Sequence, residues 1–590
     1  MQLNISGHKP GKSLFMNVIN TTEDSKIFGM PMEEMRDFLV RCEGEVSEER
    51  QMLKRRVQGI GYHTRFTDQD FAHPVTANFD YALVLLAVDG PDNRDRAIAI
   101  LEELLALQDV DSDSKTYGIW SWFVEEPLER MNPPDWNWAG FCGMRIIQAL
   151  VKFGDDLPAD LVDSLKVALG HATRAIIRRD MGPHYTNVAF MAAHVCLAAG
   201  DLLEEPAYVE YGRTLLGKIL ESVEYHGNFN EYNSPNYTTL LLQLCDAILE
   251  TAKDPAALVT VEKLRRFTWK SIADYFHPAT SQWAGPQSRS YGSYLRPNEI
   301  HEIASRLDFD FPCHAKEKQT PEPSLVRRNP CPADMAERFK KLPADNFELR
   351  SRYWRREPDA ASLYGTTWFS DEACMGSINH GFLWTQARPL LAYWAVSGKP
   401  PLQLRLRFLH DGQDFVSAWS SNHQHGAQVL TAISFLNNGG DTHPIFYKPP
   451  NAEFEAGDFR LRYELLGDGI EAQELGDGRY ELRAGRTQAL IQPLGGEFGG
   501  ETVKWTLERT EGGVVLDAVC YHGPKKGFPF LKMPAAYVAA SLELLKEDEP
   551  TPSAGKGVET AVDGKTRLKW TNEQQALNVV FSKTPHPQPV

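Results

Sequence analysis

Between about residues 30 and 308 the chain repeats one kind of text, amphipathic helical segments about 20 to 30 residues apart, and after about residue 346 it stops doing so. Segments such as "NFDYALVLLAV", "FCGMRIIQALVKFG", "NVAFMAAHVCLAAGDLL" and "YTTLLLQLCDAILETA" carry apolar residues at helical spacing. The short links between them hold Gly, Pro or Asp, which predicts helical hairpins. Their number, with long polar loops between some pairs, suits an α/α toroid. A solenoid is less favoured, because no fixed-period repeat is found.

The passage 311–346, "FPCHAKEKQTPEPSLVRRNPCPADMAERFKKLPADN", is rich in Pro and charge and reads as a linker over the surface. Strand signals follow it. "FRLRYELLGDGIEAQELGDGRYELRAG" is three strand-like runs broken by two Gly-Asp-Gly turns, and "VKWTLERTEGGVVLDAVCYH" is a hairpin around Gly512-Gly513. The expectation is a multidomain α+β chain: a toroid over 1–310, a linker over 311–346, and an antiparallel β-sandwich over 347–590. The end, "KTPHPQPV", reads as a frayed tail.

The 590 residues carry 62 Lys+Arg against 79 Asp+Glu, a net charge of −17. That balance argues against general nucleic-acid binding and against a polybasic membrane surface, but not against an anionic sugar held by a few local Arg or His. The N-terminal text "MQLNISGHKPGKSLFMNVINTTEDSK" has no apolar signal-peptide core, and no later segment approaches the ~18 apolar residues of a span. A cytoplasmic address is the simplest expectation. Eight Cys are scattered without CxxC pairs, which fits reduced thiols better than disulfides or a Cys-based zinc site.

The opening of one helix and four further patches concentrate polar and aromatic residues. "HGNFNEYNSPNYTTLLLQL" opens a helix, with Ser234 as N-cap and Pro235 as first helical residue. Tyr237 then falls in the first turn, where the helix dipole favours a phenolate and eases proton exchange. "DMGPHYTNVAF" sets His184 and Asn187 three apart at another helix start, so that both can face one point; helix capping by Asn187 or Thr186 is the plainer alternative. "TYGIWSWFVEEPLERMNPPDWNWAG" places Trp120, Trp122, Trp136 and Trp138 near Glu125, Glu126 and Asp135, a mixture that suits sugar stacking or a loop pinned by buried Trp. In "HPATSQWAGPQSRSYGSYLRP", Trp283, Arg289, Tyr291 and Arg296 offer an anion-binding edge, against which stands a structural tie by Arg.

A further patch lies in the β region, "MGSINHGFLWTQARPLLAYW" with "SSNHQHGAQVL"; His423 and His425 of the latter, two apart on a strand, share a face and can serve as base or metal ligand. The polar run "SNHQH" argues against a dry core there. GxSxG, Walker A, HExxH and GxGxxG-after-strand motifs are absent from the sequence.

"HYTN" and "GNFNEYNSPNY", each opening a helix ahead of a β-sandwich, resemble the α/α-toroid polysaccharide lyases of the heparinase II/III and alginate or oligoalginate lyase type. The pattern departs from that family in having His226-Gly227 for Asp-Gly, and in setting His184 three residues before Asn187 instead of beside it. The resemblance implies β-elimination at a 4-O-linked uronic acid. Asn187, helped by Arg289 or His184, would neutralise the carboxylate, and Tyr237 would protonate the leaving O4. The C5 proton would go to His423, with His425 and His380 as rivals, or to Tyr237 itself. Tyr232, Glu231, Asn236, Tyr291, Trp120, Trp136 and Trp138 would hold the sugar. The partner would be an anionic oligosaccharide or polysaccharide, with no cofactor required. A structural Zn or Ca and a homo-oligomer are left open. In the cytoplasm such an enzyme would act exo on imported oligosaccharides. The rivals are a glycoside hydrolase using two of Glu231, Asp135, Glu125 and Glu126, and a non-catalytic carbohydrate-binding protein.

Overall fold

The structure, a computed structural model, describes residues 29–57, 63–311, 323–444 and 447–588. The N-terminal text, Cys313 and part of the expected linker lie outside the described residues. Among the described residues ten helices organise the first half: α1 (Met32–Cys42), α2 (Val75–Val88), α3 (Pro91–Leu105), α4 (Trp138–Phe153), α5 (Ala159–Arg179), α6 (Thr186–Leu202), α7 (Pro206–His226), α8 (Pro235–Thr251), α9 (Pro255–Tyr275) and α10 (Pro297–Ala304). Five of them, α3, α7, α8, α9 and α10, begin on Pro, which loses no hydrogen bond at that position. Side-chain caps complete two of these starts: Ser234 accepts from Tyr237 N at 3.2 Å and Asp254 from Ala257 N at 2.8 Å.

Consecutive helices pair as hairpins, α2 with α3, α4 with α5, α6 with α7 and α8 with α9. The first members α2, α4, α6 and α8 also pack side by side in that order, while α3, α5, α7 and α9 stay outside. Asp80 of α2, Arg145 of α4, His194 of α6 and Gln243 of α8 line one cavity on the common axis. The helical half is therefore an α/α toroid, and its inner helices run parallel with their N-termini at one end. α6 is buried from Thr186 through Gly200, as expected for a helix apolar all round. It lies close against α7: a Cβ on Gly212 would sit 2.8 Å from Leu197 Cγ and 3.0 Å from Ala193 O.

In the second half the named strands pair antiparallel, and one isolated bridge, Leu436 with His586, is parallel. One large sheet runs in the order Lys504–Thr510, Gly513–Pro529, Glu453–Leu466, Lys399–His410, Leu390–Val396, Ala373–Ile378, Leu363–Ser370 and Asn346–Trp354. The other runs Glu471–Glu474, Tyr480–Ala484, Thr487–Phe498, Ala536–Lys546, Gln428–Phe435, Ala418–His425 and His380–Phe382. Phe408, Phe459 and Leu461 of the first meet Val429, Phe435 and Ile491 of the second in one core, so the two form a sandwich. Outward-facing Arg460 and Arg462 close on Asp517 at 2.8 and 2.7 Å. A three-stranded sheet, Lys556–Val562, Lys565–Thr571 and Ala576–Phe581, packs onto the second.

Several local expectations change. Only the second Gly-Asp-Gly closes a hairpin, since the strands flanking the first belong to different sheets. The C-terminal tail is tied down as far as the description reaches: His586 N donates to Phe435 O and Asn437 N to His586 O. The passage expected to run over the surface instead buries Leu325 in the helical core and Phe339 among aromatic side chains of α9 and its neighbours.

The sandwich meets the toroid at the loops that follow α7 and α9. Trp354 stacks on His226 at 3.5 Å and Tyr353 on Tyr232 at 4.1 Å. Gln287 and Arg388 exchange backbone hydrogen bonds at 3.1 and 2.8 Å.

Candidate functional site

Two loops build the site. α7 ends on Gly227 in the left-handed region (φ 94°), which turns the chain into "NFNEYNS". Asn233, itself at φ 44°, donates to Ala284 O at 2.9 Å and Pro286 O at 2.6 Å and accepts from Trp283 Nε1. The N-cap Ser234 donates its hydroxyl to Arg289 O at 2.7 Å, and Asn236 Oδ1 accepts from Tyr291 N at 3.0 Å. These bonds bring the start of α8 against residues 283–291.

Glu231 sits at the centre of what results. Its Oε2 accepts from Asn187 N at 3.0 Å and from Asn187 Nδ2 at 2.6 Å, and its Oε1 accepts from Arg289 Nη1 at 3.0 Å. The Arg289 guanidinium lies 4.5 Å over the Tyr237 ring and 5.6 Å from that of Trp384, and its Nε donates to Gln386 Oε1 at 2.9 Å. The Tyr237 and Tyr291 hydroxyls are 2.7 Å apart. Asn187, Glu231, Tyr237, Arg289 and Tyr291 are thus one cluster at the N-terminal end of α6 and α8, closed on the sandwich side by Trp384 and Gln386. Asn187 does not act as a helix cap, because its amide is spent on Glu231.

Burial pushes the Tyr237 phenol well above its usual range, and the opposing charge of Arg289 does not offset it. The helix N-terminus therefore does not offset burial here, contrary to the expectation from position alone. Burial works against the charge of Arg289, but Tyr237, Tyr291 and Glu231 around it outweigh that and raise its pKa. Tyr185 is raised chiefly by burial and feels both Arg289 and Glu231.

Other expected residues lie elsewhere or act structurally. His184 precedes the first turn of α6 with its side chain exposed, and its carbonyl accepts from Asn230 Nδ2. Tyr232 packs on Tyr353, and Trp283 is buried on Asn233. Trp120 is core, donating to Leu104 O at 2.9 Å. Trp138 stacks on Trp122 at 5.1 Å, whereas Trp136 stays 38% exposed. Arg296 closes on Glu299.

The histidines of the sandwich change most. His423 Nδ1 faces the backbone of Asn578 in the small sheet, at 3.1 Å from its O and 3.0 Å from its N, and its charged neighbours are Arg350, His425 and Glu348. His425 borders a cleft with Asp345 and Gln428, and His380 faces Ser421. The structure does not bring these three to Tyr237. The run "SNHQH" is also drier than its text suggests: Asn422 and Gln424 are buried, donating to Ile378 O at 2.7 Å and Met375 O at 2.9 Å. The sandwich histidine that does approach the cluster is His443, 5.5 Å from Trp384 ring to ring. Burial, with Arg289 adding to it, lowers its pKa, so it is neutral near pH 7. Trp384 and Gln386 fall within the patch "MGSINHGFLWTQARPLLAYW" and Tyr185 within "HYTN", while His443 lies outside every stretch that the sequence marks; the polar loop text "GGDTHP" around it is the local signal it carries.

The carboxylates of the hydrolase alternative are each engaged. Glu125 bonds His73, Glu126 accepts from Thr64 Oγ1 at 2.6 Å and Arg65 N at 2.7 Å, and Asp135 holds Trp122 Nε1 at 3.2 Å and Asn137 N at 3.0 Å. Among the described residues no group of three or more His, Cys, Asp or Glu is arranged to hold a metal ion.

A family model described as a domain of unknown function (DUF8769) matches residues 57–304. No curated protein matches the chain. Solved structures similar to it include that of heparinase III, 9% identical, covering 98% of this chain and 94% of that one with a TM-score of 0.47. Another is the Streptomyces coelicolor A3 chondroitin AC lyase in complex with chondroitin sulphate, 10% identical, covering 94% and 86% with a TM-score of 0.46. A third is a mutant of the heparan sulfate lyase HepC from Pedobacter heparinus, 10% identical, covering 94% and 89% with a TM-score of 0.35.

Proposed function

We propose that the chain is a polysaccharide or oligosaccharide lyase that breaks the bond to a 4-O-linked uronic acid by β-elimination. The observation that carries this reading is the placement of Tyr237, its hydroxyl 2.7 Å from that of Tyr291 and its ring under the guanidinium of an Arg289 that Glu231 ties to Asn187. In the reaction the C5–H bond breaks, its electrons form a C4–C5 double bond, and the C4–O4 bond breaks with O4 taking a proton. Tyr237, held neutral by burial, is suited to donate that proton. His443, neutral at pH 7, is suited to accept the one from C5, and takes the place given to His423 in the sequence reading. Arg289 and Asn187 supply the positive charge and amide donor that oppose charge build-up on the uronate carboxyl.

The hydrolase reading needs a free acid and a free base, and both oxygens of Glu231 are occupied. The test is ultraviolet absorbance on a panel of uronate oligosaccharides, because elimination makes a conjugated double bond and hydrolysis does not. Absorbance that vanishes in Tyr237→Phe supports the proposal; reducing ends formed without absorbance overturn it. If the chain works in the cytoplasm, the same reading makes it exo-acting, which the size of the first products checks.

A further inference from the structure

A pocket with three basic side chains lies near the catalytic cluster. A cavity of about 230 Å³ opens between the loop before α4 and the end of α5, lined by Lys115, Tyr117, Trp136, Arg178 and Arg179. In a chain of net charge −17 three cations face one small space. Among the described residues none of the three has a carboxylate within ion-pair distance, though Asp135 acts on Arg179 from further away. Arg178 lies 4.7 Å over the Tyr117 ring and donates to Ser112 O at 3.1 Å, and Arg179 donates to Asn137 Oδ1 at 2.7 Å. Trp136 is fixed by its own Nε1, which donates to Lys115 O at 2.9 Å, and this leaves its ring partly open to solvent. A fixed indole face beside unpaired cations is a surface for a ring with an apolar face and an anionic substituent. The cavity is smaller than the ~300–1,000 Å³ of pockets that hold drug-sized ligands, so it suits a single ring.

The pocket is joined to the cluster. Asn137, which Arg179 holds, engages the Tyr185 hydroxyl, and Tyr185 lies within the field of Arg289 and Glu231. We infer that this pocket is a remote subsite that binds an anionic sugar, bearing a carboxylate or a sulfate, of the same saccharide chain whose scissile bond lies over Tyr237. The inference rests on the lyase reading and adds to it that the substrate carries a second anionic ring away from the bond being cut. Arg178 and Lys115, both exposed, bind that anion, and Trp136 stacks on its ring.

The experiment uses the full chain carrying Tyr237→Phe, so that binding is read without turnover. Calorimetric titrations with an unsulfated oligoglucuronate disaccharide and hexasaccharide, and with a sulfated uronate hexasaccharide, are repeated after adding Lys115→Gln with Arg178→Gln. Hexasaccharide affinity is expected to fall about tenfold or more at low salt, and less at high salt where the charges are screened. Disaccharide affinity stays unchanged. Whichever hexasaccharide loses more names the anion. Trp136→Ala, which removes no charge, is expected to weaken the hexasaccharide at both salt levels. Unchanged hexasaccharide affinity in the folded double variant overturns the subsite and leaves the lyase reading intact. If the Tyr237→Phe chain binds none of the saccharides, the lyase reading falls and takes the subsite with it.

Discussion

Asn187 meets Glu231 twice, through its backbone N–H at 3.0 Å and its side-chain amide at 2.6 Å, while the other oxygen of the same carboxylate holds Arg289. One buried carboxylate therefore sets the orientation of both groups proposed to face the substrate carboxyl. Glu231→Gln keeps the shape but removes the charge and turns one acceptor into a donor facing a donor. Bonds to charged groups are worth about 1.5–3 kcal/mol each, so a loss of that order is expected in chemical denaturation. Misplaced donors also slow the reaction, and kcat is expected to fall by about a hundredfold. A variant with unchanged kcat would show that Glu231 holds only the fold.

Tyr237 and Tyr291 share one hydroxyl contact but differ in burial. Tyr237 is the more enclosed, and Tyr291 is 49% exposed. If Tyr237 is the proton donor, Tyr237→Phe lowers kcat by about 10²–10⁴-fold with little change in substrate affinity. Tyr291→Phe removes that neighbour and the acceptor of a 3.3 Å bond from Arg289 Nη2 but leaves the Tyr237 proton in place, and is expected to cost much less. Equal losses in single-turnover assays would show that the pair acts as one unit.

The start of α8 was legible because its determinants are local. Ser234 and Pro235 specify a cap and a first turn whatever surrounds them, and that fixes where Tyr237 points. The hairpin series and the change to strands were legible for the same reason, being periodicities of neighbouring residues. The base was not, because adjacency in a strand says nothing about what lies across from it. His423 and His425 were attractive as a pair, but a further sheet packs over their strand and takes up His423. His443 reaches the cluster only because Trp384 and Gln386 arrive there by a separate turn of the sandwich, a relation between distant residues that no local pattern records. Trp120 misled for a similar reason: an aromatic-rich loop reads alike whether its rings face a sugar or the core.

The pH dependence follows from two shifts of opposite sign. His443 is lowered by burial and by Arg289, so it loses its proton below the usual histidine range and is ready to accept one at neutral pH. Tyr237 is raised, so it keeps its proton past the usual tyrosine range near 10. Plots of kcat/KM against pH are therefore expected to rise on an acid limb below about 6.5 and then stay level into alkaline pH. His443→Gln should remove the acid limb along with most of the activity. An acid limb that survives this substitution would assign the base to another group.

A separate acid sensitivity is built into the helical half. His194 of α6 is buried with neither ring nitrogen hydrogen-bonded, and burial lowers its pKa to about 4. Above about pH 6.5 the ring is neutral in folded and unfolded chains alike, so its contribution to stability does not vary there. As pH falls from 6.5 towards 4, the unfolded chain takes up a proton that the folded chain does not, and stability drops by up to about 1.4 kcal/mol per pH unit. His277, also lowered to about 4, and His301, lowered to about 3, act in the same direction. His194→Leu places an apolar side chain of similar size where no partner is lost, and is expected to be neutral or stabilising at pH 7. It should also flatten the decline in stability between pH 6.5 and 4 by the share of one histidine. Denaturation midpoints of the two chains, measured across that range, decide the matter: parallel curves would mean that His194 finds a partner for its proton in the folded protein.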